Sequence, residues 1–173
     1  MKYTLKGIKE INDILNDFLN DFEATAHFGS DFCCWIDRNE IEYTVIMPVE
    51  ETMFFMERFT ELAPDIHCDP FLASFFHELG HLCTDHLVED EDALYCRDIS
   101  TEIGKELSEG KETLTLEERR ELNREYFDLP DEKMATEWAI EFMRNNAEVV
   151  GKLWEKLHYA IENFYLNNKV EVC

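Results

Sequence analysis

Apolar residues near the start of the chain recur at helical spacing. Between them lie polar residues, many of them acidic. A recurrence of three to four residues places the apolar side chains on one face of an amphipathic helix. The sequence therefore predicts a first helix within residues 4–24, with a buried face formed by Ile8, Ile11, Leu15, Phe18, Leu19 and Phe22.

The pattern then changes from helical spacing to alternation. In the segment "FCCWIDRNEIEYTVIMP", β-branched and aromatic residues flank the polar turn "DRNE", and Ile41, Tyr43 and Val45 alternate with single polar residues. Alternation of this kind is typical of a half-buried strand. We predict a β-hairpin that ends at Pro48.

Helical spacing returns in residues 52–62 and again after the break "APDIHCDP". Asp69 has the side chain of an N-cap residue, and Pro70 suits the first turn of the helix that follows. Two more helices are predicted from Pro130 to about Leu166. The second of them has a buried stripe formed by Leu153, Trp154, Leu157, Ile161 and Phe164.

Residues 88–129 are polar and include the acidic run "EDED". Capping signals at Ser100 and at "TLEE", which begins at Thr115, predict short amphipathic helices in this excursion. With 173 residues, 45% apolar residues, six glycines and four prolines, the chain is expected to form one α+β domain over 1–173. A small sheet or hairpin would lie beside a mostly helical bundle.

The charge and the cysteines limit the classes of function. The formal net charge of −23 argues against direct nucleic-acid binding, because such binding depends on lysine and arginine neutralising phosphates. No apolar run approaches the length of a membrane span, and the N-terminus lacks the features of an export signal. The six cysteines are expected to be reduced thiols, and the protein is expected in the cytoplasm.

The motif "HELGH" carries the candidate chemistry. Residues four apart on a helix share a face, so His77 and His81 can bind one ion, while Glu78 projects roughly 100° to the side. Hydrolytic zinc sites use two such imidazoles with a nearby carboxylate as general base. The alternative is that these residues share a helix by chance. The metzincin pattern HExxHxxGxxH is excluded, since Thr84 and Leu87 replace its glycine and histidine.

A third protein ligand has several candidates. Asp85 lies one turn after His81, where it could hold that ring without binding the metal. In the helix that follows Pro130, Glu132 lies near a face with two alanines that lets another helix approach closely. Glu132 could equally be an ordinary first-turn carboxylate favoured by the helix dipole. Glu137 lies about 160° from the alanine face, on the side expected to meet solvent.

"HELGH", followed about fifty residues later by a helix of pattern E-x-x-A-x-x-(aromatic)-A, resembles the ImmA/IrrE metallopeptidases. This is a gluzincin family common in phages and mobile elements. The resemblance covers about half of the chain and implies a zincin-like fold. It implies Zn²⁺ bound by His77, His81 and Glu132. Glu78 would be the general base towards a zinc-bound water, and Thr136 would occupy a position that is usually Asn or acidic.

The function implied by this resemblance is zinc-dependent endopeptidase activity on a protein or peptide substrate, with transcriptional repressors of a bacterial host as the usual class. The oxyanion donor is left open among Tyr126, His158 and Tyr159. The resemblance also suggests that a substrate strand adds to an edge strand, for which 41–47 is the candidate. The alternative function is a non-catalytic acidic binding module, such as a DNA mimic, with a structural or vestigial metal site.

Overall fold

Ten helices and strands organise the part of the chain that the structure describes. A computed structural model describes residues 5–88, 90–110 and 113–168. The strands are β1 (Thr25–Phe28), β2 (Cys33–Trp35) and β3 (Glu40–Tyr43). The helices are α1 (Leu5–Leu19), α2 (Val49–Leu62), α3 (Pro70–Thr84), α4 (Asp90–Glu109), α5 (Leu116–Phe127), α6 (Pro130–Asn145) and α7 (Ala147–Asn168). The chain is therefore mostly helical with a small sheet, as the predicted α+β class requires.

These elements form two compact units. The first contains residues 1–47 and 141–173, and the second contains residues 48–140. The prediction of a single domain over 1–173 stays a prediction. The excursion at 88–129 belongs to the second unit, together with α2, α3 and the first part of α6.

The sheet of the first unit has the order β1-β3-β2. The predicted hairpin is present, since β2 pairs antiparallel with β3 and Cys34 lies opposite Ile41. β1, which the sequence did not predict, pairs parallel with β3 and aligns Ala26 with Ile41. The prediction that 41–47 forms an edge strand is wrong, because β3 has a neighbour on both sides and ends at Tyr43.

Asn16 of α1 covers the outer side of β1. Its side-chain oxygen accepts from the Ala26 N–H at 2.7 Å, and its amide group donates to the Ala26 carbonyl at 3.0 Å. Both backbone groups of Ala26 are therefore satisfied by one side chain of the neighbouring helix.

The apolar stripes predicted for α1 and α7 are largely buried in the first unit. Ile11, Leu15 and Leu19 are fully buried on α1, as are Leu157 and Phe164 on α7. The hydroxyl of buried Tyr43 lies 2.7 Å from Asn12 Oδ1, and burial raises the pKa of that phenol. Hydrophobic burial thus fixes the faces by which the two helices pack.

Local signals set the helix ends of the second unit. Asp69 caps α3 by accepting from the Phe71 N–H at 2.8 Å, and Pro70 follows it. Thr115 and Glu118 form the predicted reciprocal capping box at the start of α5.

Ser100, in contrast, lies inside α4, so the prediction of a helix start there is wrong. Within its described residues, the excursion contains one 20-residue helix and one of 12 residues.

Two further sequence expectations concern cysteines and membrane spans. The described residues include five cysteines, none of which forms a disulfide: Cys33, Cys34, Cys68, Cys83 and Cys96. Cys173 lies outside the described residues. None of the helices in the described ranges combines the length and apolarity that crossing a membrane requires.

Candidate metal centre

His77 and His81 lie one turn apart on α3, the most buried helix of the second unit. Their ring centroids are 4.8 Å apart and the ring planes are nearly perpendicular. Only 6% of the His77 side chain and 14% of the His81 side chain are exposed. The two imidazoles therefore converge in an environment from which water is largely excluded.

Glu132 reaches both imidazoles from the first turn of α6. Its Oε2 lies 3.0 Å from His77 Nε2 and 3.5 Å from His81 Nε2. The carboxylate is as buried as the rings, with 8% of its side chain exposed. A first-turn carboxylate stabilised only by the helix dipole would need no such burial, so this placement favours a role at the histidine pair.

The geometry of the three groups fits a single metal ion. Their ligand atoms all lie within 4.8 Å of one another. On a tetrahedral ion with bonds of about 2.0–2.1 Å, ligand atoms are about 3.3 Å apart. The separations of 3.0 and 3.5 Å between Oε2 and the two nitrogens lie on either side of that value. His77, His81 and Glu132 can therefore hold a metal ion.

Close packing of α3 on α6 makes this convergence geometrically feasible. Gly80 lies directly against the backbone of Ala135, and a Cβ at position 80 would be 2.3 Å from the Ala135 carbonyl oxygen. Ala135 and Ala139 are both fully buried. The face with two alanines that the sequence suggested on α6 is therefore the face on which α3 packs. Gly80 is the small residue of α3 at this contact.

Thr136 determines how the His77 ring is oriented. Its hydroxyl donates to the Glu132 carbonyl at 2.9 Å, and its oxygen lies 3.0 Å from His77 Nδ1. Since the hydroxyl hydrogen is used by the carbonyl, Nδ1 must be the donor to Thr136 Oγ1. In the neutral form that binds a metal, the ring keeps its Nδ1–H and presents the lone pair of Nε2, the nitrogen nearest Glu132, to the ion.

The charges of the three groups depend on one another. Burial alone would raise the pKa of Glu132, but the hydrogen bonds and charges of His77 and His81 hold it well below its usual range. Burial alone would lower the pKa of His81, but the hydrogen bond to Glu132 and the charges of Glu132, Glu78 and Asp131 raise it to about 9. Without metal, Glu132 is an anion that partners protonated His81.

Aromatic residues of α2 and α5 surround the histidines. The Phe55 ring lies 5.4 Å from the His77 ring, and the Phe127 ring lies 6.2 Å from it. Tyr126, at the end of α5, is also close. Burial raises the pKa of its phenol, as do Glu132 through its charge and hydrogen bonding, and the charges of Glu78 and Asp131. The last turn of the excursion therefore borders the site.

The remaining candidate residues differ in how far they are exposed to solvent. Glu78 follows His77 on α3, is half-buried, and is close enough for its charge to act on both His81 and Tyr126. Asp85 is exposed, because α3 ends at Thr84 and the chain continues in a 3₁₀ turn. Glu137 is exposed and lies 3.9 Å from Lys133 Nζ, on the solvent side of α6.

The two other oxyanion candidates belong to the first unit. Both His158 and Tyr159 are exposed residues of α7, and His158 Nε2 lies 3.2 Å from Glu162. Tyr126, in the second unit, is close enough to Glu78 and Glu132 for their charges to raise its pKa.

Comparison with protein-family models, with curated proteins and with solved structures found no match to this chain.

Proposed function

We propose that the protein is a zinc-dependent metallopeptidase of the ImmA/IrrE type, with a zincin-like arrangement of its site. The observation that carries the proposal is the buried convergence of His77, His81 and Glu132, with Glu78 next to the first histidine. Two imidazoles and one carboxylate are the donor set of catalytic zinc in metallopeptidases. A purely structural zinc would be closed by four protein ligands.

When bound, zinc would act as a Lewis acid that polarises a carbonyl group and acidifies a water molecule. Glu78 would accept the proton of the attacking water on its carboxylate and pass it to the leaving amine. Its position suits this role, because it lies beside the His77/His81 face without being part of it. Glu132 and Thr136 would keep the two imidazoles in the orientation that binding requires.

Tyr126 is our proposed donor to the oxygen of the scissile carbonyl. A phenol that donates a hydrogen bond to a developing oxyanion must keep its proton. The raised pKa of Tyr126, caused first by burial and then by Glu132, ensures that it does so at neutral pH. No comparable argument supports His158 or Tyr159, which are exposed on α7.

The substrate class and the cellular location follow from the resemblance alone. We propose a protein substrate, with a transcriptional repressor as the type that the resemblance suggests, in the cytoplasm of a bacterial host. The net charge of −23 agrees with a protein ligand better than with direct binding of nucleic acid.

The test combines metal analysis with a broad activity assay. Wild type, Glu78→Gln and a His77→Ala/His81→Ala double variant would each be analysed for zinc and incubated with a peptide library prepared from a bacterial proteome. Mass spectrometry would identify new peptide ends. Wild type should contain about one zinc per chain and cleave a defined set of peptides, Glu78→Gln should contain zinc without cleaving, and the double variant should do neither.

The outcomes separate the competing functions. Cleavage by Glu78→Gln at the wild-type rate would rule out Glu78 as the base. Zinc without cleavage in wild type would favour the acidic binding module with a structural metal. Full zinc occupancy in the double variant would show that the metal lies elsewhere, and the proposed site would be wrong.

A further inference from the structure

Helix α5 carries Tyr126 and Phe127 to the metal site, but it is not anchored by a buried apolar face. None of its twelve residues is fully buried, although Tyr126 and Phe127 in its last turn are half-buried and the Phe127 ring lies 5.3 Å from the Phe55 ring. Its neighbour α2, in contrast, buries Phe54, Phe55 and Phe59. Most helices in proteins are held by burial of one apolar stripe. The attachment of α5 must therefore be sought in other contacts.

Besides its packing against α4, α5 is attached to α2 by ion pairs. Arg119 Nε lies 2.7 Å from Glu50, Arg120 Nε lies 2.9 Å from Glu57, and Arg124 lies 2.6 Å from Glu61. Arg58 of α2 also pairs with Asp128, directly after the end of α5. The arginines involved are four of the sixteen basic residues in the sequence. They lie along the α2–α5 contact from its beginning to its end.

A cleft of about 320 Å³ lies between the two helices. Its lining consists of one aromatic side chain and five charged ones, Phe54, Glu57, Arg58, Glu61, Arg120 and Arg124. Three arginines and two glutamates that form the ion pairs thus also line the space between the helices. The paired side chains are 20–57% exposed, so salt weakens the Coulombic attraction between them.

We propose that α5 is a salt-sensitive cover of the metal site, fastened to α2 by these ion pairs. Release of the fastening would move Tyr126 and Phe127 away from His77 and Glu132. A protein substrate could release it in the same way, by offering its own charged side chains to Arg120, Arg124 or their partners. The ion pairs would then control access to a site whose three ligand side chains are at most 14% exposed.

Amide hydrogen exchange of the full-length protein tests this proposal without requiring activity or metal. Peptides from α5 should exchange about tenfold faster in 1 M than in 0.05 M NaCl, because the Debye length falls from more than 10 Å to about 3 Å. Peptides from α3, which is buried, serve as the internal reference and should change little. Equal exchange of α5 at both salt concentrations would overturn the proposal.

Variants provide the second arm of the test. Glu61→Gln should speed the exchange of α5 at low salt, whereas Glu121→Gln, a matched change on an exposed face of α5 outside these ion pairs, should not. If Glu61→Gln and Glu121→Gln have the same effect, the ion pairs do not fasten α5.

The link to the metal site rests on the proposed function and has its own readout. In zinc-loaded protein, transfer of the metal to a chromogenic chelator should be faster in 1 M than in 0.05 M NaCl, and faster in Glu61→Gln than in Glu121→Gln. If the purified protein binds no zinc, the proposed function is wrong. The hydrogen-exchange measurements would still show whether α5 opens. Transfer rates unaffected by salt would show that α5 does not cover the metal.

Discussion

The Thr136 hydroxyl determines which nitrogen of His77 is available to a metal. Replacing it by valine keeps the shape of the side chain but removes the acceptor of the Nδ1–H. We expect Thr136→Val to weaken zinc binding by about 10–100-fold, the usual cost of losing an outer partner of a ligating histidine. Competition with a chelator of known affinity measures this change.

The matched control for Thr136→Val is Thr60→Val. Thr60 is an exposed residue of α2, so the same chemical change there should leave zinc affinity unaltered. Equal affinities for the two variants would contradict the role of Thr136 in orienting His77.

The raised pKa of His81 predicts that zinc binding releases a proton. In the metal-free protein this pKa is about 9, so His81 is protonated at pH 7 and must lose that proton before Nε2 can bind zinc. We therefore expect about one proton released per zinc from this residue, and affinity that rises with pH up to about 9. Calorimetry in buffers of different ionisation enthalpy measures the released proton.

The same shift has a consequence for stability without metal. Protonated His81 stabilises the folded state. This contribution is complete below pH 6.5, the approximate pKa of histidine in the unfolded chain, and is lost as the pH rises through about 9, the pKa of His81 in the folded protein. The melting temperature of metal-free protein should therefore fall between pH 6.5 and 9. His81→Gln lacks this contribution, so a fall of equal size in that variant would contradict the assignment.

The residues of the site differ in how far sequence alone could identify them. His77, Glu78 and His81 follow from spacing on one helix, which is a local property. Glu132 required the additional observation of an alanine face on α6. The hydrogen bond between Thr136 and His77 depends on the rotamers of two side chains from different helices, and no sequence pattern encodes it. The resemblance singled out the Thr136 position without indicating this contact.

Gly80 allows two helices to meet at the distance the site requires. A Cβ there would lie 2.3 Å from the Ala135 carbonyl oxygen, and backbone atoms cannot yield as a flexible side chain would. We expect Gly80→Ala to lower the free energy of unfolding by about 1–3 kcal/mol and to weaken zinc binding. Chemical denaturation and metal competition measure the two effects.

Gly104→Ala on α4 is the matched control. A Cβ at position 104 would have nothing within 4 Å, so the alanine should stabilise its helix by about 0.5–1 kcal/mol through its better helix propensity. If both variants are equally stable, the close approach of α3 to α6 is not the constraint we describe.

Secondary structure was predictable where its signals are local. The capping box at Thr115 is an example, because both of its hydrogen bonds join residues three positions apart. β1 was missed because its alternation of polar and apolar residues extends over only four positions, and β1 is defined by parallel pairing with β3. Ser100 has the side chain of an N-cap residue, but the sequence on both sides of it is helical, so no helix begins there. The position of β3 in the middle of the sheet likewise depended on the unpredicted β1.

Cysteine chemistry provides a prediction for the whole chain. Burial and the charge of Asp69 raise the pKa of Cys68 to about 11, and burial raises that of Cys83 to about 11. Both thiols should therefore react slowly with an alkylating reagent at pH 8 in the native protein. In denaturant, mass spectrometry should count six alkylated cysteines, and a smaller count would indicate a disulfide.

The Asn16–Ala26 contact has a consequence for the behaviour of the protein at high concentration. An uncovered outer strand offers N–H and C=O groups on which a second chain can form a continued sheet, which is a common start of aggregation. The Asn16 amide takes the place of such a chain, since it satisfies the same two groups of Ala26. A single side chain thus blocks the two backbone groups of Ala26 on which a further strand would otherwise pair.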